Sequence, residues 1–103
     1  MIHVIAIITA KPGQRAAILQ AFRANIPAVR AENGCIEYQP VVDVESVGKF
    51  QTELGGDTFI VVEKWADADA LKAHAAAPHM AAYAAKVKDL IAKRAVHVLT
   101  EAV

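Results

Sequence analysis

The second half of this sequence holds its best candidates for chemistry. Glu63 and Trp65 are two residues apart in a run typical of a β-strand, so they lie on one face of that strand. His79 and Tyr83 are four residues apart in a helical run and therefore share a helix face. His74 lies between the two runs, and imidazole is the side chain best suited to act as a base near pH 7. We predict a pocket between a sheet and its helices that gathers these residues.

Each candidate also has a purely structural interpretation. His74 could cap the carbonyl groups at the end of a short helix, and Trp65 could be a core residue. Tyr83 and Tyr38 each offer a phenol to a pocket, although a buried ring with a solvated hydroxyl is ordinary for tyrosine. Glu63 is more informative, because a carboxylate in an apolar strand needs a partner, a shifted pKa or exposure at an edge.

Metal binding and thiol chemistry have little support in the sequence. A proline separates His74 from His79, and no carboxylate or thiol completes a familiar ligand spacing, so we expect no metal site. The single Cys35 has no neighbouring basic residue to lower its pKa, and we expect a small hydrophobic residue rather than a nucleophile. The motifs of nucleotide-binding sites, zinc proteases and serine hydrolases are absent.

Composition argues against several classes of partner. Eleven Lys and Arg balance eleven Asp and Glu, so we expect neither a nucleic-acid binder nor a membrane-surface protein. No apolar run approaches the roughly 18 residues of a membrane span. The first residues read as a strand ended by Lys11-Pro12-Gly13 rather than as a signal peptide, and a cytoplasmic location is the default expectation. A chain of 103 residues fits one domain over 1–103.

The elements that must position the candidate residues follow the order βαββαβ. Apolar, β-branched runs predict four strands, over 2–9, 35–44, 58–65 and 95–101. Helical spacing and end signals predict helices over 14–31, in a short segment capped by Asp67, and from Pro78 to about 92. This order predicts an α+β fold of ferredoxin-like topology, with a four-stranded antiparallel sheet and all helices on one face.

The first and third predicted strands are apolar on both faces. In the first strand Val4, Ala6 and Ile8 oppose Ile5 and Ile7, and the third strand repeats this pattern. Helices cover one face, so we expect a second copy of the chain to cover the other in a homodimer. The alternative is a monomer that exposes some aliphatic side chains.

The sequence resembles the antibiotic biosynthesis monooxygenase (ABM) family, and within it the quinol monooxygenase group. The resemblance spans nearly the whole chain and rests on an ordered set of residues: Gly34-Cys35-x-x-Tyr38, Glu63-x-Trp65, Ala70-Leu71-x-x-His74 and Pro78-His79-Met80-x-x-Tyr83. It implies a ferredoxin-like subunit in a dimeric α+β barrel. It also implies a cofactor-independent monooxygenase that oxidises a quinol or polyphenolic aromatic with O₂ as co-substrate.

The resemblance implies roles for particular residues. It makes His74 the base or phenol-binding group, Trp65 a wall for the substrate ring and Tyr83 a polar contact. The residues expected to bind the substrate are His79, Glu63, Tyr38 and Phe50. Haem-degrading relatives need an asparagine and a histidine where this chain has Ala6 and Ala84, so no haem is expected.

Other interpretations stay open beside this one. An isomerase of a small phosphorylated metabolite is the rival enzyme, and Lys64 is the only obvious cation for its phosphate group. A non-catalytic, dimeric ligand-binding barrel is the alternative that needs no reaction. The loop over 45–57, which carries Phe50, is longer than the family's usual connection. It could be a pocket lid, an arm that reaches the partner subunit, or a plain surface insertion.

Overall fold

The chain folds into a four-stranded antiparallel sheet with helices packed on one face, and the computed structural model describes all residues, 1–103. The strands are β1 (Ile2–Ala10), β2 (Cys35–Val41), β3 (Thr58–Trp65) and β4 (Ile91–Leu99). The helices are α1 (Arg15–Arg30), α2 (Ala68–Ala75) and α3 (Pro78–Val87), and a single 3₁₀ turn, Lys88–Leu90, follows α3. The strand order is β2-β3-β1-β4. This is the predicted ferredoxin-like α+β fold.

Local signals start the two helices of the second half. The Asp67 carboxylate accepts a hydrogen bond from the backbone N–H of Ala70 at 2.8 Å and caps α2. Pro78 is the first residue of α3, where its missing N–H costs nothing. Both starts were predicted. No helix is long and apolar enough to cross a membrane.

Three predicted boundaries are wrong. The third helix ends at Val87 rather than near 92, and β4 begins at Ile91 rather than at 95, because Ile91 pairs with Ala10 at the end of β1. The second strand stops at Val41 rather than at 44, since its last partner on β3 is Ile60. The loop beyond Val41 is closed instead by Asp43, whose carboxylate accepts the backbone N–H groups of two residues.

The core lies between the sheet and the helices. Val4, Ala6 and Ile8 of β1 are buried on the face towards the helices, and Phe22 of α1 packs over them. The alternate residues of β1 and β3 point to the other face, where no helix lies. Ile5 pairs with Val62 and Ile7 with Ile60, and all four are only half-buried. The two-sided apolar pattern predicted for these strands is therefore confirmed.

Gly34 sets the path from α1 into β2. Its φ of +84° lies in the region that favours glycine, and a Cβ built there would lie 2.6 Å from the Cβ of Ala70 in α2. The close approach brings the residues just after α1 against α2. Glu32 is held there, two residues before the glycine.

Candidate functional site

A cavity of about 440 Å³ lies between the helix-covered face of the sheet and the helices α2 and α3. This volume is within the usual range for sites that bind small molecules. Fifteen of its nineteen lining residues are hydrophobic. The four exceptions are Glu63, His74, Lys88 and Arg94, and two of the fifteen, Tyr38 and Tyr83, carry a phenol hydroxyl. The predicted pocket between sheet and helices is thus present.

His74 is a buried residue in the last turn of α2, and its two ring nitrogens have different surroundings. Nδ1 lies 2.9 Å from Oε2 of Glu32. Nε2 has no partner in the chain, while every fully buried side-chain nitrogen and oxygen has one, so Nε2 opens onto the cavity. An ionised carboxylate only accepts hydrogen bonds, which places the proton of a neutral His74 on Nδ1. The lone pair of Nε2 then faces the cavity, as a general base requires.

Glu32 also binds a second imidazole. Nε2 of His79, at the start of α3, donates to the same Oε2 atom at 2.9 Å. His79 does not line the cavity. The expectation that His79 contacts the substrate directly does not fit this position, and the residue instead helps to hold the carboxylate that orients His74. No group of three or more His, Cys, Asp or Glu side chains is arranged to hold a metal ion.

Trp65 lies in the core behind the site. Its side chain is fully buried, and its Nε1–H donates to Oε1 of Glu63 at 2.9 Å. The indole also packs against the ring of His74, with ring centroids 4.6 Å apart. Trp65 does not line the cavity, so the expected role as a wall for the substrate ring does not fit. It supports Glu63 and His74 instead.

Glu63 is a buried carboxyl group at the cavity wall. Burial raises the pKa of Glu63, against the opposing effects of the Trp65 hydrogen bond and the nearby His74. The sequence indicated that this carboxylate needs a partner, a shifted pKa or exposure at an edge, and Glu63 has both a partner and a shifted pKa. A carboxyl with a raised pKa is a candidate donor or acceptor for a substrate oxygen.

Two tyrosines complete the polar side of the cavity. Tyr38 is buried and stacks on Phe22 with ring centroids 5.1 Å apart, while its edge meets the ring of His74 at 5.5 Å. Burial raises the pKa of the Tyr38 phenol, and it raises the pKa of Tyr83 to about 12. Both side chains therefore stay protonated near neutral pH and can donate hydrogen bonds to a bound oxygen atom.

Phe50 is not part of this cavity. Its side chain is 83% exposed in the loop between β2 and β3. The interpretation of its loop as a lid over this chain's pocket does not fit that placement, and substrate binding by Phe50 stays a prediction. Loop tips lie on the protein surface, and no neighbouring element packs against the ring of Phe50 to bury it.

Glu32 and the cavity's two cations were not among the residues predicted from the sequence. Glu32 is 42 residues away from His74 along the chain, and no local spacing connects them. Arg94 lies on β4, and Lys88 lies in the 3₁₀ turn. Lys64, which was considered as a phosphate-binding cation, does not line the cavity and pairs with Glu37 at 3.4 Å.

Fold and cavity together define a ferredoxin-like α+β domain with a cavity of small-molecule size between its sheet and its helices. The sequence profile of the family described as antibiotic biosynthesis monooxygenase matches residues 1–86, and the chain belongs to this family. The chain is 37% identical over 101 residues to an Escherichia coli (strain K12) protein named probable quinol monooxygenase YgiN, with 96% of each covered.

Solved structures show the same fold. The structure of Rv0793 from Mycobacterium tuberculosis superposes with a TM-score of 0.79 at 29% identity, covering 97% of this chain and 93% of that one. The structure of PA3566 from Pseudomonas aeruginosa superposes with a TM-score of 0.81 at 26% identity, covering 99% and 94%. The family resemblance read from the sequence is confirmed.

Proposed function

We propose that this chain is a cofactor-independent monooxygenase that oxidises a quinol or related polyphenolic aromatic with O₂. One observation carries the proposal: the unpaired Nε2 of His74 opens onto a largely apolar cavity, while Nδ1 is held by Glu32 at 2.9 Å. This arrangement gives a base of defined orientation in a site that favours flat apolar rings. The relative named as a probable quinol monooxygenase supports the same substrate class.

The proposed reaction begins with removal of a ring hydroxyl proton by Nε2 of His74. The resulting quinolate transfers one electron to O₂, and the semiquinone and superoxide combine through a bond to a ring carbon. His74 returns its proton to the peroxide, giving a hydroperoxide. The O–O bond then breaks as the hydrogen on that carbon leaves. One oxygen atom remains on the hydroxyquinone and the other departs in water, so O₂ accepts the four electrons that the quinol loses.

The remaining residues position the substrate and exclude water. Glu32 stabilises the imidazolium that forms on His74, through a charge-assisted hydrogen bond at Nδ1. Tyr38, Tyr83 and Glu63 line the cavity, and in this proposal their hydroxyl and carboxyl groups bind ring oxygens. The apolar walls keep water away from the quinolate, which strengthens each of these interactions.

No step of this proposal needs a bound cofactor, because the substrate itself supplies the electrons. Ala6 and Ala84 both line the cavity. Neither side chain has an atom that can coordinate haem iron or donate a hydrogen bond to a haem ligand. The residues that the resemblance linked to haem degradation are therefore unsuited to that chemistry.

The proposal includes a homodimer in the cytoplasm, joined through the sheet face that no helix covers. Ile5, Ile7, Ile60 and Val62 form a continuous apolar centre on that face. A second sheet packed on it, related by a two-fold axis, would remove these side chains from water. The cavity lies on the opposite face, so each protomer keeps its own site.

Oxygen uptake by the purified protein, dialysed against a chelator, tests the proposal. We expect a reduced naphthoquinone to drive uptake well above its autoxidation rate, and His74→Ala to lower the difference at least tenfold. Lys72→Gln, at an exposed lysine of α2 outside the cavity, is the control and should keep full activity. Wild-type uptake no faster than autoxidation across a panel of quinols would overturn the proposal.

A further inference from the structure

Arg94 occupies the side of the cavity that is open to solvent. It lies opposite Ile8 of β1, on the sheet face that points towards the helices. No helix covers this part of β4, since Val96 and Val98 on the same face are 44% and 56% exposed. Lys88 reaches the same cavity from the turn after α3. These two residues are the only cations that line it.

Neither cation has a partner within the chain. Arg94 and Lys88 form no ion pair or side-chain hydrogen bond. Two other arginines are used structurally, because Arg15 donates to the carbonyl oxygens of Gly55 and Thr58 and Arg30 to that of Tyr38. The guanidinium of Arg94 therefore retains its full set of donors beside an apolar cavity.

The positive charge of Arg94 affects the pKa of other residues that line the cavity. Arg94 pairs with Ile8 of β1, and Glu63 pairs with Val4 on the other side of the same strand. Four residues along β1 and two strand spacings across it therefore separate the two backbones, by roughly 17 Å. Burial raises the pKa of both Glu63 and Tyr83, and the positive charge of Arg94 opposes the rise in each. Arg94 therefore contributes a positive potential at two groups of the polar wall while it lines the same cavity.

We propose that Arg94, assisted by Lys88, binds an anionic substituent of the substrate, either a carboxylate or a phosphate. This inference rests on the proposed function, since it adds an acidic group to the aromatic hydroxyl compound that His74 would deprotonate. The planar guanidinium fork matches both anions with two parallel hydrogen bonds. With the anion at the open side, the ring lies against the apolar walls and the hydroxyl points to Nε2 of His74.

Binding of probes that the protein does not turn over tests this inference. We would titrate 6-hydroxy-2-naphthoate, 6-hydroxy-2-naphthyl phosphate and neutral 2-naphthol, each of which keeps a free ring hydroxyl, into the anaerobic protein by calorimetry. One charge-assisted hydrogen-bonded pair in a half-open site corresponds to roughly tenfold in affinity, so at least one anion should bind about tenfold more tightly than 2-naphthol. The anion that gains more identifies the acidic group.

Matched variants assign the preference to Arg94. Arg94→Gln should remove it and leave 2-naphthol affinity within twofold, while Arg94→Lys should keep part of it. Arg23→Gln, at an exposed arginine of α1 outside the cavity, should keep all of it. Equal binding of all three probes, or a preference that survives in Arg94→Gln, would overturn the inference. Arg94 is exposed, and unchanged thermal unfolding of the variants checks that they fold.

The two proposals fail in different ways. Neither turnover nor O₂ enters the binding titrations, so an Arg94-dependent preference for an anion stands even if no quinol drives oxygen uptake. Conversely, uptake that depends on His74 but shows no anion preference would leave the monooxygenase proposal intact and remove the Arg94 subsite.

Discussion

Removing the Glu32 carboxylate should destabilise the protein and release the orientation of His74. In Glu32→Ala the Nδ1–H of His74 loses its acceptor, and only 5% of this residue is exposed. His79 loses the same oxygen, but its side chain is 30% exposed and can turn to water. The main cost is therefore one buried, unsatisfied N–H group.

The expected loss of unfolding free energy follows from the cost of this one buried N–H group. An unsatisfied buried donor costs about 1–3 kcal/mol, so we expect Glu32→Ala to lose about 2 kcal/mol of unfolding free energy. For a domain of this size that corresponds to a fall in Tm of roughly 8–15 °C. Glu32→Gln keeps an amide oxygen that can accept from one imidazole, and should lose about half as much.

Urea denaturation measures these losses, and imidazole nitrogen NMR measures the tautomer. In the wild type the neutral ring of His74 should carry its proton on Nδ1, and in Glu32→Ala it should become a mixture of tautomers. Glu53→Ala, at an exposed loop carboxylate without hydrogen-bond partners, is the control and should change stability by less than about 0.5 kcal/mol. A similarly small loss in Glu32→Ala, with the tautomer unchanged, would refute the assigned role of Glu32.

Three further predictions concern stability and assembly. Because burial raises the pKa of Glu63, its contribution to folding is largest below the ordinary value of 4.5 and is lost as pH rises through the raised pKa. Glu63→Gln should therefore flatten the fall in Tm above that pH, and Glu53→Gln should not. Gly34→Ala should cost about 2 kcal/mol in urea denaturation, since a side chain there is strained by the positive φ and meets Ala70; a loss under 0.5 kcal/mol would contradict this. Ile60→Lys should convert the proposed dimer, near twice the 11.0 kDa chain mass, into a monomer in sedimentation equilibrium at micromolar concentration; an unchanged dimer mass would argue against this interface.

The sequence predicted those features that depend on neighbouring residues. The third strand was predicted with its true limits, Thr58–Trp65, because its apolar run is bounded on both sides by breaking residues. Asp67 and Pro78 mark the starts of α2 and α3 through backbone groups within the first helical turn. Period two along β3 placed Glu63 and Trp65 on one face, where a hydrogen bond joins them.

Features that depend on distant partners were missed. Leu90 and Ile91 continue the apolar spacing of α3, yet the backbone there pairs with β1 and closes the helix early. Arg94 was overlooked for the same reason, since its strand was predicted to begin at 95 and its face could not be assigned. Glu32 joins two histidines only because Gly34 brings the end of α1 against α2.

Aromatic residues were assigned by type, which does not determine their depth. Trp65 is fully buried because it ends a central strand beneath α2, where a large apolar side chain fills the core. Phe50 is exposed because its loop packs on nothing that would cover the ring. Both rings are as apolar as a substrate wall requires, and only tertiary packing separates their positions.

Isotope labelling tests the proposed monooxygenase activity most directly. The purified protein would be incubated with a reduced naphthoquinone under ¹⁸O₂, and the hydroxyquinone product analysed by mass spectrometry, with His74→Ala alongside. We expect the wild-type product to gain one ¹⁸O atom at a rate well above the protein-free reaction, and His74→Ala to lose that gain. A product without label, or one that forms equally fast in the variant, would contradict the proposed role of His74 as the base of a monooxygenase.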